Sequence, residues 1–293
     1  MPAHRVLLPD RHRQLDFFVC DILDAKPKDD LGSMEHPLFT LSKKPDTQIR
    51  HYEHNGSSVK VVPSVMGHAT IFDKDILIYC ISQLVEAMNR GREVSRTVRL
   101  TAYDLLIATN RDTGGRNYHL LEQALQRLTG TKVFTNIKVG GHRIREGFGL
   151  IESYRIVEKS PRDSRMVAVE VTLSEWLYRA VHHKEVLTLN RDYFRLGKAL
   201  DRRIYELGRK HCGGQYSWKV SVETLYKKSG SQGTLRKFRH FIKELSASNH
   251  LPDYHVSFAP KTDMVRFLNR DEGVKTAEVT RFIEEFKQQG KEP

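Results

Sequence analysis

Cysteine is scarce in the 293-residue sequence. Cys20, Cys80 and Cys212 are odd in number, far apart and in no C-x-x-C pair, which argues against a disulfide framework or a four-ligand zinc site and fits a reducing compartment. No apolar stretch approaches the roughly 18 residues of a membrane span, so no membrane association is expected. The opening MPAHRVLLPDRHRQLDF is interrupted by prolines and charges before a secretory h-region can form, which places the protein in the cytoplasm. The phosphate-cradling pattern G-x-x-x-x-G-K-[ST] is absent, removing the usual reason to assign ATP hydrolysis. His182 and His183 are adjacent, so their rings point to opposite faces of a strand or diverge by about 100° on a helix, and metal-ligand geometry is missing. Asp73 and Asp75 open a long apolar helix, where the helix dipole explains them better than acid–base chemistry. No tyrosine sits beside a base or a metal cluster that would activate it. The expectation is a protein without catalytic residues, metal or cofactor, and not an enzyme.

What the chain has in excess is positive charge: 48 Lys+Arg against 36 Asp+Glu, a net of +12. The excess is regional. Residues 191–250 hold 14 Lys/Arg and 5 Asp/Glu, a net of +9, whereas the other 233 residues hold 34 and 31, a net of +3. A polyanionic partner explains such a block, because each neutralised phosphate releases condensed counterions; a solubilising cationic face is the bland alternative.

The length suits about two domains. Residues 1–45 read as a poorly ordered arm with at most a short helix around Leu15 to Leu23. Two strand-like runs flank Asn55-Gly56, a dipeptide that accepts a tight hairpin turn. Leu77, Ile81, Leu84 and Met88 then recur at helical spacing, and Ile76, Ile78 and Cys80 lie partly outside that stripe. This helix has more apolar surface than one core needs, so residues of about 47–150 are expected to face the second unit, another copy of the chain, or the Asn55-Gly56 hairpin.

From there one order of elements occurs twice: strand, helix, turn, helix, hairpin. A fixed offset of 120 residues aligns Thr101 with Ser221, Val98 with Trp218, Leu100 with Val220, Leu105 with Leu225, Tyr118 with Phe238, Leu121 with Phe241 and Leu125 with Leu245. The first hairpin is expected over KVFTNIKVGGHRIREGFGLIESYRIV, with its tip at Gly140-Gly141. EKSPRDSR (158–165) reads as a loop in a sheet or the edge of a linker, and NRDYFRLGKALDRRIYELGRKHCGG as one long helix. The expected class is α+β with tandem winged-helix domains (a helix-turn-helix with a β-hairpin wing). The arm covers 1–45, the first domain 46–160, the second 161–270 and a tail 271–293.

In the second unit Leu235, Phe238, Phe241, Ile242 and Leu245 share one arc of the third helix. Arg236, Arg239, His240 and Lys243 lie opposite, with Lys237 at the flank. A helix backed by its helix-turn-helix partner can enter the major groove, where Arg or Lys meets guanine O6/N7. Ser229, Ser231, Gln232 and Thr234 precede it and can donate to phosphate oxygens. In the first unit Arg116, His119, Gln123, Gln126 and Arg127 share their face with Glu122, and Lys138, His142, Arg143 and Arg145 cluster about the expected wing tip. An ordinary solvated face, or packing against another subunit, is the alternative reading of that unit.

PLFTLSKKPDTQIRHYEHNGSSVKVVPSVMGHATIFDKDILIYCISQL, residues 37–84, resembles the plasmid replication initiator protein A family, relatives of the iteron-binding plasmid initiators; ATIFDKDILIYC is its most specific stretch. A weaker likeness continues through SRTVRLTAYDLLIATNRDTGGRNYHLLEQALQRLTGTKVFTNI. The resemblance implies a protein that binds direct repeats of double-stranded origin DNA, helps open the adjacent duplex and recruits host partners such as the replication initiator and replicative helicase. Its N-terminal winged helix would contact DNA or form a homodimer. Carried onto this chain, the base-reading positions would be Arg236, Lys237, Arg239, His240 and Lys243, with Arg116, Asn117, His119, Gln123 and Arg127 as the weaker counterpart. A winged-helix repressor, also of its own gene, and a rolling-circle nickase are the alternatives.

Overall fold

The computed structural model describes residues 7–11, 28–54, 57–136, 138–139, 142–143, 145–160, 163–274 and 276. The chain enters through strand β1 (Lys28–Asp30) and helix α1 (Leu31–Glu35), whose first turn is capped by the Asp30 carboxylate accepting from the Ser33 N–H. Strands β2 (Arg50–His54) and β3 (Ser57–Val62) pair antiparallel, and helix α2 (Lys74–Asn89) follows.

The first unit then opens with β4 (Thr97–Leu100), α3 (Ala102–Ala108) and α4 (Gly115–Gly130). Next come β5 (Lys132–Thr135), β6 (Lys138–Val139), β7 (His142–Arg143) and β8 (Glu146–Gly149). Two long strands, β9 (Ile151–Ser160) and β10 (Asp163–Leu173), complete the unit. Helix α5 (Glu175–His182), β11 (Val186–Thr188), a 3₁₀ turn (Arg191–Arg195) and α6 (Ala199–His211) lead into the second unit. That unit holds β12 (Ser217–Ser221), α7 (Val222–Ser229), α8 (Leu235–Ser248), β13 (Tyr254–Ala259) and β14 (Met264–Asn269).

The 120-residue offset carries β4 onto β12 and the first residue of α4, Gly115, onto the first of α8, Leu235. The caps match: Thr101 accepts from the Asp104 N–H and Ser221 from the Thr224 N–H. Each unit closes with a three-stranded antiparallel sheet in which the last strand lies centrally, in the orders β4-β10-β9 and β12-β14-β13. Leu100 faces Val169 where Val220 faces Val265, so the offset falls from 120 residues at the first strand to 96 at the hairpin.

The difference of 24 residues explains why the first hairpin is not where the repeat puts it. Segment 132–149 is an insertion: β5 and β8 join a separate sheet of order β2-β3-β5-β8, and β6 pairs only with β7. The first unit's hairpin is β9–β10, with Ser160 paired to Asp163; of EKSPRDSR, Pro161 and Arg162 lie outside the described residues. A domain boundary at 160 therefore falls inside one sheet. The turns Asn55-Gly56 and Gly140-Gly141 lie outside the described residues, as do the short helix expected at 15–23 and nearly all of the tail from 277. The long helix expected from 190 is two pieces, with Leu196-Gly197-Lys198 separating the 3₁₀ turn from α6.

The arm expected at 1–45 packs onto the body both at residues 7–11, where Leu7 bridges Leu196 and the Leu8 N–H donates to the Arg195 carbonyl, and from residue 28 onward. β1 pairs with β11, and Met34, Leu38 and Phe39 are buried in a core that runs through both units. The surplus apolar side of α2 is used within the chain: Ile76, Ile78 and Cys80 are fully buried, and β1, α3, α5 and β4 pack around the helix. It offers no free face for a second copy. Among the described residues no helix is long and apolar enough to cross a membrane, and no cluster of His, Cys, Asp and Glu could hold a metal.

Buried charge ties β1 and α2, which precede the first unit, to α6, which leads into the second. Lys74 at the start of α2 lies 2.6 Å from Asp29 and 3.1 Å from Glu206 of α6, all three fully buried. Glu206 also accepts from Arg203 and from the Tyr193 hydroxyl. Asp75, one residue along α2, is held by Arg202 of α6 at 2.5 Å and by Arg111 at 3.0 Å. Burial, opposed by Lys74 and reinforced by the Glu206 carboxylate, pushes the Asp29 carboxyl above its usual range. Asp75 is thus tied into this network, while Asp73 pairs separately with Arg127 of α4.

Candidate nucleic-acid interface

Helix α8 presents the most available basic face. Its apolar arc is fixed by Phe238, Ile242 and Leu245, all buried. Arg236, Lys237 and Lys243 project from the other side, exposed and with no acidic partner among the described residues. Its N-terminus is capped by the Thr234 hydroxyl, which accepts from the Lys237 N–H. Gly230 ends α7 in the left-handed region, at φ +70°, and a Cβ there would come within 2.5 Å of Pro37. The helix-turn-helix corner of the second unit is therefore pressed against the N-terminal segment.

The remaining members of the expected set are partly engaged. The Arg239 guanidinium makes a two-pronged contact with Asp263, at 2.7 and 2.8 Å, tying α8 to the β13–β14 turn and holding the Asp263 carboxyl below its usual range. His240 stays exposed 3.4 Å from Glu244. Ser231 is half-buried, and its N–H donates to the Ser229 hydroxyl; Ser229 is buried and donates to the Tyr226 carbonyl, which removes it from the surface.

Helix α4 is occupied differently. Arg127 makes a two-pronged contact with Asp73, at 2.7 and 2.8 Å, so this side chain braces α4 against α2. Periodicity alone places Arg127 and Arg239 among free readers; the ion pairs correct that. Gln123 bonds His119 at 2.9 Å, Arg116 is exposed, and Asn117 is half-buried near the start of the helix. Arg145 is exposed, whereas the side chains of Lys138 and Arg143 lie outside the described residues.

A cleft that periodicity could not reveal runs from the turn before α8 to one face of α4. One part, about 790 Å³, lies between loop 40–48, Lys198 and the Ser231–Gly233 turn; the other, about 650 Å³, lies between the same loop and the Asn117, Leu120, Gln123 and Arg127 face of α4. Lys43, Pro45 and Gly197 line both parts. On the far side of α4, Tyr118, His119 and Glu122 face Ile156, Glu158 and Met166 of the β9–β10 hairpin across a second hollow, which carries two carboxylates.

The model of the family described as replication initiator protein A matches residues 28–256. The chain belongs to that family. This initiator-family chain is also 40% identical over 269 residues to a protein of Wigglesworthia glossinidia brevipalpis that carries the name of a replication protein, covering 91% of this chain and 98% of that one. Two crystal structures of domains 2 and 3 of RctB share its fold. One superposes with a TM-score of 0.58 at 10% identity and the other with 0.55 at 12%, each covering 80% of this chain and 95% of theirs.

Sequence reasoning misses Lys43, Lys44 and Lys198 as surface cations because nothing periodic marks them; they sit in loops that tertiary packing brings near the turn before α8 and near α4. The only local signal is the paired lysine before Pro45.

Proposed function

We propose that the chain is a plasmid replication initiator that binds repeated origin sequences as double-stranded DNA through two winged helices and promotes opening of the adjacent duplex. The observation that carries this reading is the α8 face: Arg236, Lys237 and Lys243 are exposed, without an acidic partner among the described residues, and backed by a helix-turn-helix. Family membership and the twofold strand–helix–turn–helix–hairpin frame support it. In this reading the first winged helix is residues 97–173 with the insertion 132–149, and the second is 217–269. The protein acts in the cytoplasm without catalytic chemistry of its own, leaving strand unwinding to a host initiator and replicative helicase that it recruits.

The test is a footprint on DNA surrounding the gene, with purified full-length protein. Protection of tandem direct repeats beside an A·T-rich segment is the expected result, and protection of a single inverted repeat would turn the reading into that of a repressor.

A further inference from the structure

We propose that loop 40–48 together with Lys198 forms a phosphate-binding saddle between the two third helices, which grips the backbone of duplex DNA where it passes from one helix to the other. The proposal rests on the DNA-binding reading above and adds a site to it.

Three observations carry it. The first is position: the cleft reaches the Ser231–Gly233 turn before α8 at one end and the Asn117–Arg127 face of α4 at the other, with Lys43, Pro45 and Gly197 common to both parts. The second is charge. Every acid lining the cleft already has a cation: Asp46 pairs with Arg50, Asp73 with Arg127, and Asp75 with both Arg111 and Arg202. Lys43, Lys44 and Lys198 are exposed and have no carboxylate partner among the described residues; Lys43 lies 5.6 Å above the Phe72 ring. The uncompensated charge is therefore positive and belongs to lysines, which suit a passing backbone as point charges rather than a base edge as a fork.

The third observation is rigidity. The Ser42 hydroxyl donates to the Lys44 carbonyl and accepts from the Lys44 N–H. The Thr40 N–H donates to the Ala69 carbonyl and the His68 N–H to the Asp46 carbonyl, while His68 Nε2 lies 2.7 Å from the Gln48 carbonyl. Gly67 approaches so closely that a Cβ would fall 2.9 Å from the Asp46 nitrogen. The loop is held in place before any ligand arrives, so ordering it costs little on binding.

The experiment uses the full chain and mixed-sequence DNA, because phosphate contacts carry no sequence information. Lys43→Gln, Lys44→Gln and Lys198→Gln are combined, and affinity is measured against salt on a duplex of about 20 bp and on one of about 10 bp, too short to cross both helices. The exposed positions predict an unchanged thermal midpoint, measured alongside. On the long duplex the slope of log K against log salt should become shallower by about 2–3; on the short one it should change by less than about 1. An unchanged slope on the long duplex overturns the saddle, as does an equal change on both lengths or the same loss on single-stranded DNA of matching length. A parallel Arg236→Gln, Lys237→Gln variant should weaken both lengths alike. Should it bind as the parent does while the lysine variant loses slope, the reading of α8 fails and the saddle stands.

Discussion

The two repeated units place equivalent helices in equivalent frames and use them differently. In the second, α8 keeps Arg236, Lys237 and Lys243 exposed and ties only Arg239 into its own hairpin. In the first, α4 gives Arg127 to Asp73, bonds His119 to Gln123, and faces its hairpin across a hollow carrying Glu122 and Glu158. An added sheet, β2-β3-β5-β8, is inserted beside it. One frame has thus been specialised toward an exposed cationic face and its duplicate toward holding the molecule together.

The sharpest way to break this comparison is at the joint. Lys74→Ala leaves Asp29 and Glu206 buried without their shared cation, and should cost about 3–5 kcal/mol in denaturant unfolding. A loss near zero would mean that the start of α2 does not carry the architecture. A second test separates the two third helices by binding. Arg236→Ala with Lys237→Ala should lose about 1–3 kcal/mol per base contact on specific DNA, whereas Arg116→Ala should lose less than about 1 kcal/mol, both by titration at fixed salt. The opposite ranking would assign recognition to the first unit.

Arg127→Ala sharpens the contrast from the other side. It removes a half-buried guanidinium from Asp73 and should lower stability by about 1–3 kcal/mol, while the salt dependence of DNA binding in the still-folded protein stays the same. A shallower salt slope would return Arg127 to the interface.

The smallest effect concerns the N-terminal brace. Burial, with help from Arg203 and Lys228 and against Glu35, pushes His36 down from its ordinary 6.5 to about 4. The folded state therefore favours the neutral ring: this contribution is whole above pH 6.5 and is lost as pH falls through about 4. Glu35 acts in the same direction. Burial alone would raise its carboxyl, but His211 and Lys228 outweigh it and hold it below the usual range, so its stabilisation is also lost on acidification. The thermal midpoint of His36→Gln should fall less between about pH 7 and pH 4 than that of the parent chain. Parallel curves would exclude the histidine.

Much of this frame is legible in the sequence because it is local. Thr101 and Ser221 are caps at equal offset from their helices, and Leu121, Leu125, Phe238 and Leu245 keep the period of a buried face. The position of the first hairpin is not legible, because strand runs carry no record of their partner: KVFT alternates as well for β3 as for a wing, and only the pairing of Val61 with Val133 decides it. Charge misleads for a similar reason. The +9 block counts Arg202 and Lys228, whose partners Asp75 and Glu35 lie outside it and are brought up by packing, so summed charge exceeds what reaches the surface. Lys43 and Lys44 escape notice because their neighbourhood is made by chain distant in sequence.

The seating of the N-terminal segment also sets an order of events during synthesis. Among the described residues β1 pairs with β11 alone, and Glu35 meets Lys228 across 193 residues of sequence. At about 5–20 residues per second, a ribosome delivers that distance in about 10–40 s. Until then the N-terminal segment lacks the strand and the ion partners that seat it, with Lys74 waiting for Glu206 and Pro37 for Gly230. The earliest-made part of the chain is thus seated only once residues near 230 have been made.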